Sequence, residues 1–162
     1  TNSLLDLSLE YGVKFAFFIL PEQAQKYPKI VRRIVKDGHI LGSHFSQHRH
    51  HIIDTKTPFL NSLNESVEKI EDISQNTIKY SRVPYGRLLP WQDGWINQVG
   101  YTHVFWSLDS KDYNLEPSEK VINRVQDNIQ SDDIVLFHDG ESAHPQIVQI
   151  VEECLKSLNL EL

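Results

Sequence analysis

Two histidines, His44 and His48, stand four residues apart. On a helical turn that spacing puts both imidazoles on one face, an arrangement used to bind a divalent metal. Imidazole nitrogen suits zinc, cobalt, nickel or iron. A third protein ligand is the rule for a catalytic ion, so the pair alone is expected to bind weakly. His50 and His51 add two imidazoles, but adjacent side chains diverge. Three more reactive groups each follow an apolar run: Arg82 in Arg82-Val83-Pro84-Tyr85-Gly86, the carboxylates of Asp109-Ser110-Lys111-Asp112-Tyr113, and His138 ahead of Asp139-Gly140. Singly, each has an ordinary explanation as a hydrogen-bonded structural histidine, a surface ion pair, or a turn or helix cap. Their recurrence at the ends of successive apolar runs points to one shared rim.

The elements that must position these groups are legible as alternating patterns. Val13–Leu20, His39–Ser43, Ile78–Val83, Tyr101–Leu108 and Asp133–His138 read as strands. Glu22–Lys36, Leu60–Ile73, Leu89–Val99, Glu119–Ile129 and Pro145–Leu158 read as helices. Leu160–Leu162 reads as the start of a sixth strand. Near-continuous apolar strands separated by helices indicate parallel βα units covered on both faces. The expected fold class is α/β, either a (β/α) barrel or an open doubly wound sheet. Reactive groups in such folds gather past the C-terminal ends of the strands. No glycine-rich phosphate loop follows any strand, which lowers the nucleotide-binding version.

Composition narrows the classes further. The chain has 162 residues, net charge −6 and eight histidines, five of them between His39 and His51. An acidic balance argues against a nucleic-acid partner, whose phosphates are held by basic patches. The longest apolar stretch, Phe15–Leu20, is strand-sized, so no membrane span is encoded. The one cysteine, Cys154, allows neither an internal disulfide nor a cysteine-based zinc site.

Four strings together resemble the NodB-like polysaccharide deacetylases. His44-Phe45-Ser46-Gln47-His48 is similar to that family's His-(Ser/Thr)-x-x-His. Arg82-Val83-Pro84-Tyr85 is similar to its Arg-x-Pro-(Tyr/Trp), and Asp109-Ser110-Lys111-Asp112-Tyr113 to its Asp-x-x-Asp-(Trp/Tyr). Ile134-Val135-Leu136-Phe137-His138 is similar to its strand ending in histidine. The resemblance covers nearly the whole chain and implies a distorted or incomplete (β/α) barrel of parallel strands, residues 1–162 forming a single domain. Two departures stand out. Phe45 replaces the usual Ser or Thr, so a hydrogen bond steadying the metal loop is expected to be lost. The family's Thr-Phe-Asp-Asp-Gly, which supplies the general base and third metal ligand, has no counterpart. The only adjacent aspartates, Asp132-Asp133, precede a strand. The expectation is that the sequence begins beyond the start of the intact domain.

The resemblance implies a metal-dependent hydrolysis of acetamide groups on N-acetylated oligo- or polysaccharides, in an extracytoplasmic or secreted setting. His44 and His48 would hold the metal, zinc first, with cobalt or nickel as alternatives. Arg82 would hold the aspartate base, the Tyr85 backbone N–H would receive the oxyanion, His138 would protonate the leaving amine, and Asp112 would orient and stabilise the His138 imidazolium. Tyr85, Trp106 and Tyr113 would line the substrate; Trp91 and Trp95 are further candidates for stacking on sugar rings. Three alternatives stay open: another amide hydrolase on the same scaffold, a catalytically impaired carbohydrate-binding or scaffold relic, and a plain histidine-rich metal-binding module.

Overall fold

The computed structural model describes residues 1–140 and 143–158. In chain order the elements are α1 (Asn2–Glu10), β1 (Ala16–Ile19), α2 (Pro21–Lys26), α3 (Pro28–Lys36), β2 (Ile40–Ser43), α4 (Lys56–Ser74), β3 (Tyr80–Ser81), α5 (Pro90–Gln98), β4 (Thr102–His103), β5 (Leu108–Asp109), α6 (Ser118–Gln126), β6 (Val135–Leu136) and α7 (Ile147–Ser157). Single 3-10 turns occupy Pro84–Gly86 and Asp112–Asn114. The chain groups into two compact units, Lys14–Phe105, and Thr1–Val13 together with Trp106–Leu162.

In the first unit β1, β2, β3 and β4 form a parallel sheet in that order. Proline opens α2, α3 and α5 at the first turn, where its missing N–H costs nothing and its fixed φ suits the helix. Leu41 on β2, with Phe59, Leu63, Val67 and Ile70 of α4, is buried in the core. In the second unit β5 and β6 pair in parallel. Val121 and Val125 of α6 and Ile150 and Cys154 of α7 form its core, packed by Leu108, Val135 and Phe137.

Several expectations are corrected. The helix expected over Glu22–Lys36 is two helices, because Pro28 pushes Tyr27 out of the helical region to φ −128°, ψ 54°. The strand expected over Tyr101–Leu108 is split: β4 pairs with β3, and β5 pairs with β6 in a different sheet. Val104 and Phe105, just past β4, turn their carbonyls to the Arg82 side chain. The strands around residues 78–83 and 133–138 keep only two laddered residues each. The sixth strand at Leu160–Leu162 lies outside the described residues.

Gly42 on β2 is required by a close approach. A Cβ there would lie 2.6 Å from the Phe18 ring and 3.0 Å from the Tyr80 carbonyl oxygen. The Phe18 ring also lies 4.3 Å from the Arg82 guanidinium carbon. Gly42→Ala is therefore expected to destabilise by about 1–3 kcal/mol through overpacking. Urea denaturation reads this directly; a variant within about 0.5 kcal/mol of the parent would show that Phe18 moves aside freely.

Candidate active site

The loop leaving β2 carries His44 and His48. The His44 Nδ1–H donates to the Arg82 carbonyl at 2.7 Å, since a carbonyl can only accept. That bond fixes the tautomer and puts the ring's lone pair on Nε2, as in metal-binding histidines oriented by a backbone carbonyl. The His44 and His48 ring centroids are 5.2 Å apart. The ring of Tyr85 meets His48 edge-on at 4.7 Å and stacks on His50 at 4.0 Å. His50 thus belongs to an aromatic shelf with Tyr85.

His51 is fully buried, with both ring nitrogens engaged: Nδ1 with Asp54 at 2.8 Å and Nε2 with the Gln47 carbonyl at 3.2 Å. Its candidacy as a ligand is corrected accordingly. Arg49 clamps Asp54 through two N–H bonds of 2.9 and 2.8 Å. Burial works to raise the Asp54 pKa, but these bonds outweigh it and hold the carboxyl below its usual range. The Gln92 carboxamide donates to the His51 carbonyl and accepts from Leu89 N–H, tying the loop to the start of α5. Sequence reasoning missed this brace; its legible signals were Asp54 three residues after His51 and Gln92 three after Leu89.

Phe45 takes φ +63°, a left-handed conformation that is costly for a bulky residue. Its ring is fully buried, 4.8 Å from His51 and 5.1 Å from Phe59. Neighbouring serines bond the backbone of this loop. Ser43 Oγ accepts Phe45 N–H at 3.2 Å and donates to Ser66 Oγ at 2.8 Å. Ser62 Oγ accepts Ser46 N–H and pairs with its hydroxyl at 2.8 Å.

Arg82 follows β3 and is buried. Its Nε donates to the Val104 carbonyl at 2.9 Å and one terminal nitrogen to that of Phe105 at 3.3 Å. Burial pushes its pKa down to about 10, still a cation at neutral pH. Tyr85, at the turn after Pro84, is half exposed with φ +62°, and Gly86 shares that left-handed conformation. His103, beside Ser81 in the sheet, accepts Val83 N–H on Nε2 at 3.1 Å. Its Nδ1 is buried without a hydrogen-bond partner.

In the other unit, Asp112 follows β5 and His138 follows β6. Asp112 is fully buried. One carboxylate oxygen accepts His138 Nδ1–H at 2.8 Å and the Ser110 hydroxyl at 3.1 Å. The other accepts His138 backbone N–H at 2.8 Å. Burial acts to raise the Asp112 pKa, but these bonds and the nearby imidazole together hold it below the usual carboxylate range. The Tyr113 ring meets His138 edge-on at 5.3 Å, and its hydroxyl donates to Asp109 at 2.9 Å. Trp106 lies a few residues before β5 and is partly buried. Trp91 is exposed, whereas Trp95 packs edge-on against Phe59 at 5.6 Å.

The described residues bring together no group of three His, Cys, Asp or Glu side chains able to hold a metal ion. His44 and His48 place two imidazole rings side by side, and the described donor set does not complete a three-ligand catalytic site. No described helix is long and apolar enough to cross a membrane.

Comparison with known proteins adds to this geometry. A family model described as polysaccharide deacetylase matches residues 1–104. A peptidoglycan-N-acetylglucosamine deacetylase of Bacillus cereus is 30% identical over 146 residues, covering 90% of this chain and 53% of that protein. A chitooligosaccharide deacetylase of Azorhizobium caulinodans is 29% identical over 142 residues, covering 86% and 67%. The crystal structure of a peptidoglycan N-acetylglucosamine deacetylase superposes with a TM-score of 0.89 at 28% identity, over 96% of this chain and 75% of that one. The chain spans between 53% and 75% of the length of three Bacillus cereus deacetylases it matches.

Proposed function

Since the chain belongs to the polysaccharide deacetylase family, we propose that it carries the proton-donating and metal-anchoring groups of a hydrolase that removes acetyl groups from N-acetylated sugars of an oligo- or polysaccharide. The α/β fold of parallel strands, shared with solved deacetylases of the distorted (β/α) barrel type, agrees with this reading. The observation that carries it is the Asp112–His138 pair. A fully buried carboxylate held ionised accepts the Nδ1 proton of His138, so Nε2 is the atom that delivers a proton to the leaving amine. Asp112 stabilises the imidazolium and fixes its ring. Tyr85, Trp106 and Tyr113 are the aromatic surfaces offered to sugar rings, and the Tyr85 backbone N–H is the oxyanion donor. Arg82, fixed by two backbone carbonyls, would hold the aspartate base of the family's Thr-Phe-Asp-Asp-Gly in its charged form. An extracytoplasmic site of action follows from glycan substrates of the kind named for its relatives.

In this reading His44 and His48 bind a divalent ion, zinc first, which when bound would polarise the acetyl carbonyl. Two imidazoles predict weak binding. Titration with zinc or cobalt should give a dissociation constant in the micromolar range or weaker, and His48→Ala should weaken it at least tenfold. Equal binding by parent and variant would remove His48 from the ligand set. One observation favours a second reading, a carbohydrate-binding form with impaired hydrolysis: no three-donor group is assembled among the described residues. The two separate in one assay of a chitin oligomer. Release of acetate that His138→Ala abolishes supports the hydrolase; oligomer binding with no acetate release supports the impaired form.

A further inference from the structure

The chain is acidic overall, yet residues 26–36 contain five cations, Lys26, Lys29, Arg32, Arg33 and Lys36, and no acidic side chain. Four of them stand on α3 at relative positions 0, 3, 4 and 7, which one helical face brings into a row. Lys29, Arg32, Arg33 and Lys36, with Asp37 at the end of the row, line a shallow cleft. The row is partly braced from beneath. Arg32 Nε donates to the Ile73 carbonyl at 3.2 Å, and Arg33 pairs with Asp37 at 3.1 Å. Lys14 adds a further ammonium, donating to the Asp37 carbonyl at 2.6 Å. Lys29 and Lys36 are exposed, and neither has a hydrogen bond or ion pair among the described residues.

We propose that this face of α3 docks a linear, phosphate-bearing polyanion, through Lys29, Arg32, Arg33 and Lys36. The cations lie along a helix flank instead of converging on one point. From Lys29 to Lys36 the helix rises about 10 Å, which suits successive charges of a polymer better than one small anion. A lipid surface fits less well. Membrane-lying helices insert an apolar face, and the apolar side chains Val31 and Ile34 are 3% and 2% exposed, already used in the core. Because the rest of the chain is more acidic still, a polyanion is repelled elsewhere, so the stripe fixes where it lands.

The test uses long-chain inorganic polyphosphate as probe, followed by calorimetry or fluorescence anisotropy across a salt series. Four cation contacts predict a log–log salt slope near −3 by counterion release, so affinity should fall about 50-fold between roughly 50 and 200 mM salt. The double variant Lys29→Gln, Lys36→Gln touches no core residue. It should bind at least tenfold more weakly at low salt, with the slope roughly halved. Lys69→Gln with Lys120→Gln, which removes two exposed lysines elsewhere, should leave binding unchanged. Absence of polyphosphate binding, a loss equal in both double variants, or tighter binding to vesicles of anionic phospholipid than to polyphosphate would each overturn the proposal.

Discussion

In a parent chain that carries the Thr-Phe-Asp-Asp-Gly motif, Asp112→Asn should lower turnover of a chitin oligomer by about 10²–10⁴-fold, the usual contribution of a general acid, while leaving metal binding nearly unchanged. The substitution keeps the shape and removes the charge that favours the His138 imidazolium. It also changes the local hydrogen bonding. Both carboxylate oxygens accept from donors, His138 Nδ1–H and the Ser110 hydroxyl on one side and His138 N–H on the other. With its oxygen on His138 N–H, the amide turns its NH₂ toward Nδ1 and the Ser110 hydroxyl, so both must accept and the ring is held as the neutral Nε2–H tautomer. Loss of the charge-assisted bonds is expected to cost about 1–3 kcal/mol of stability. The two readouts separate the roles. A purely structural Asp112 predicts the stability loss with turnover per folded molecule intact; that result would end its assignment as the positioning partner of His138. His138→Ala, which leaves the carboxylate in place, should match the loss in turnover.

Acid should weaken the fold through His103, and by a measurable amount. Burial, with the charge of Arg82 second, pushes its pKa down to about 4 from an ordinary 6.5. Protonation at Nε2 would also break the bond from Val83 N–H. The unfolded chain takes up this proton near pH 6.5 while the folded chain refuses it. The neutral ring's contribution is therefore whole above about pH 6.5, shrinks as pH falls, and is gone at about pH 4. A gap of that size is worth up to about 3 kcal/mol. His39, whose pKa is lowered first by burial and then by Lys14, works in the same direction. Urea denaturation at pH 7 and pH 4.5 of the parent and of His103→Gln isolates the first contribution, because glutamine can still accept from Val83. The variant should lose clearly less stability between the two pH values. Parallel pH dependence would show that His103 takes up its proton without consequence.

The alternation of strand and helix was legible because its cause is local: apolar runs for strands buried on both faces, a helical period for the layers covering them. The break at Tyr27-Pro28 was missed: the dipeptide disfavours a continuing helix, but the segment reads as one helix over Glu22–Lys36. The split of residues 101–108 was not, since nothing in that run of β-forming residues announces that two of its carbonyls turn to Arg82. The reactive side chains were readable by type and spacing, and the resemblance supplied their expected pairing. Less accessible was how they are held. Phe45 does not favour a positive φ by its own preference; it is held there by Ser43 on its N–H and by the rings at 51 and 59. His51 and Gln92 looked like a spare ligand and an ordinary helical residue until their buried partners were known.

The break after β4 also bears on how this chain can change over generations. Arg82 is gripped by main-chain oxygens of Val104 and Phe105, not by their side chains. Every residue type supplies that oxygen, so drift at 104 and 105 leaves the grip in place, provided the bend itself survives. Position 82 has no such latitude. A lysine has one nitrogen where the guanidinium spreads several N–H groups in a rigid fork, and it cannot reach both carbonyls while lying flat over Phe18. Variation should therefore be lopsided, permissive on the accepting segment and nearly closed at the donor, and a deep mutational scan would display that asymmetry as one silent dipeptide beside one intolerant arginine.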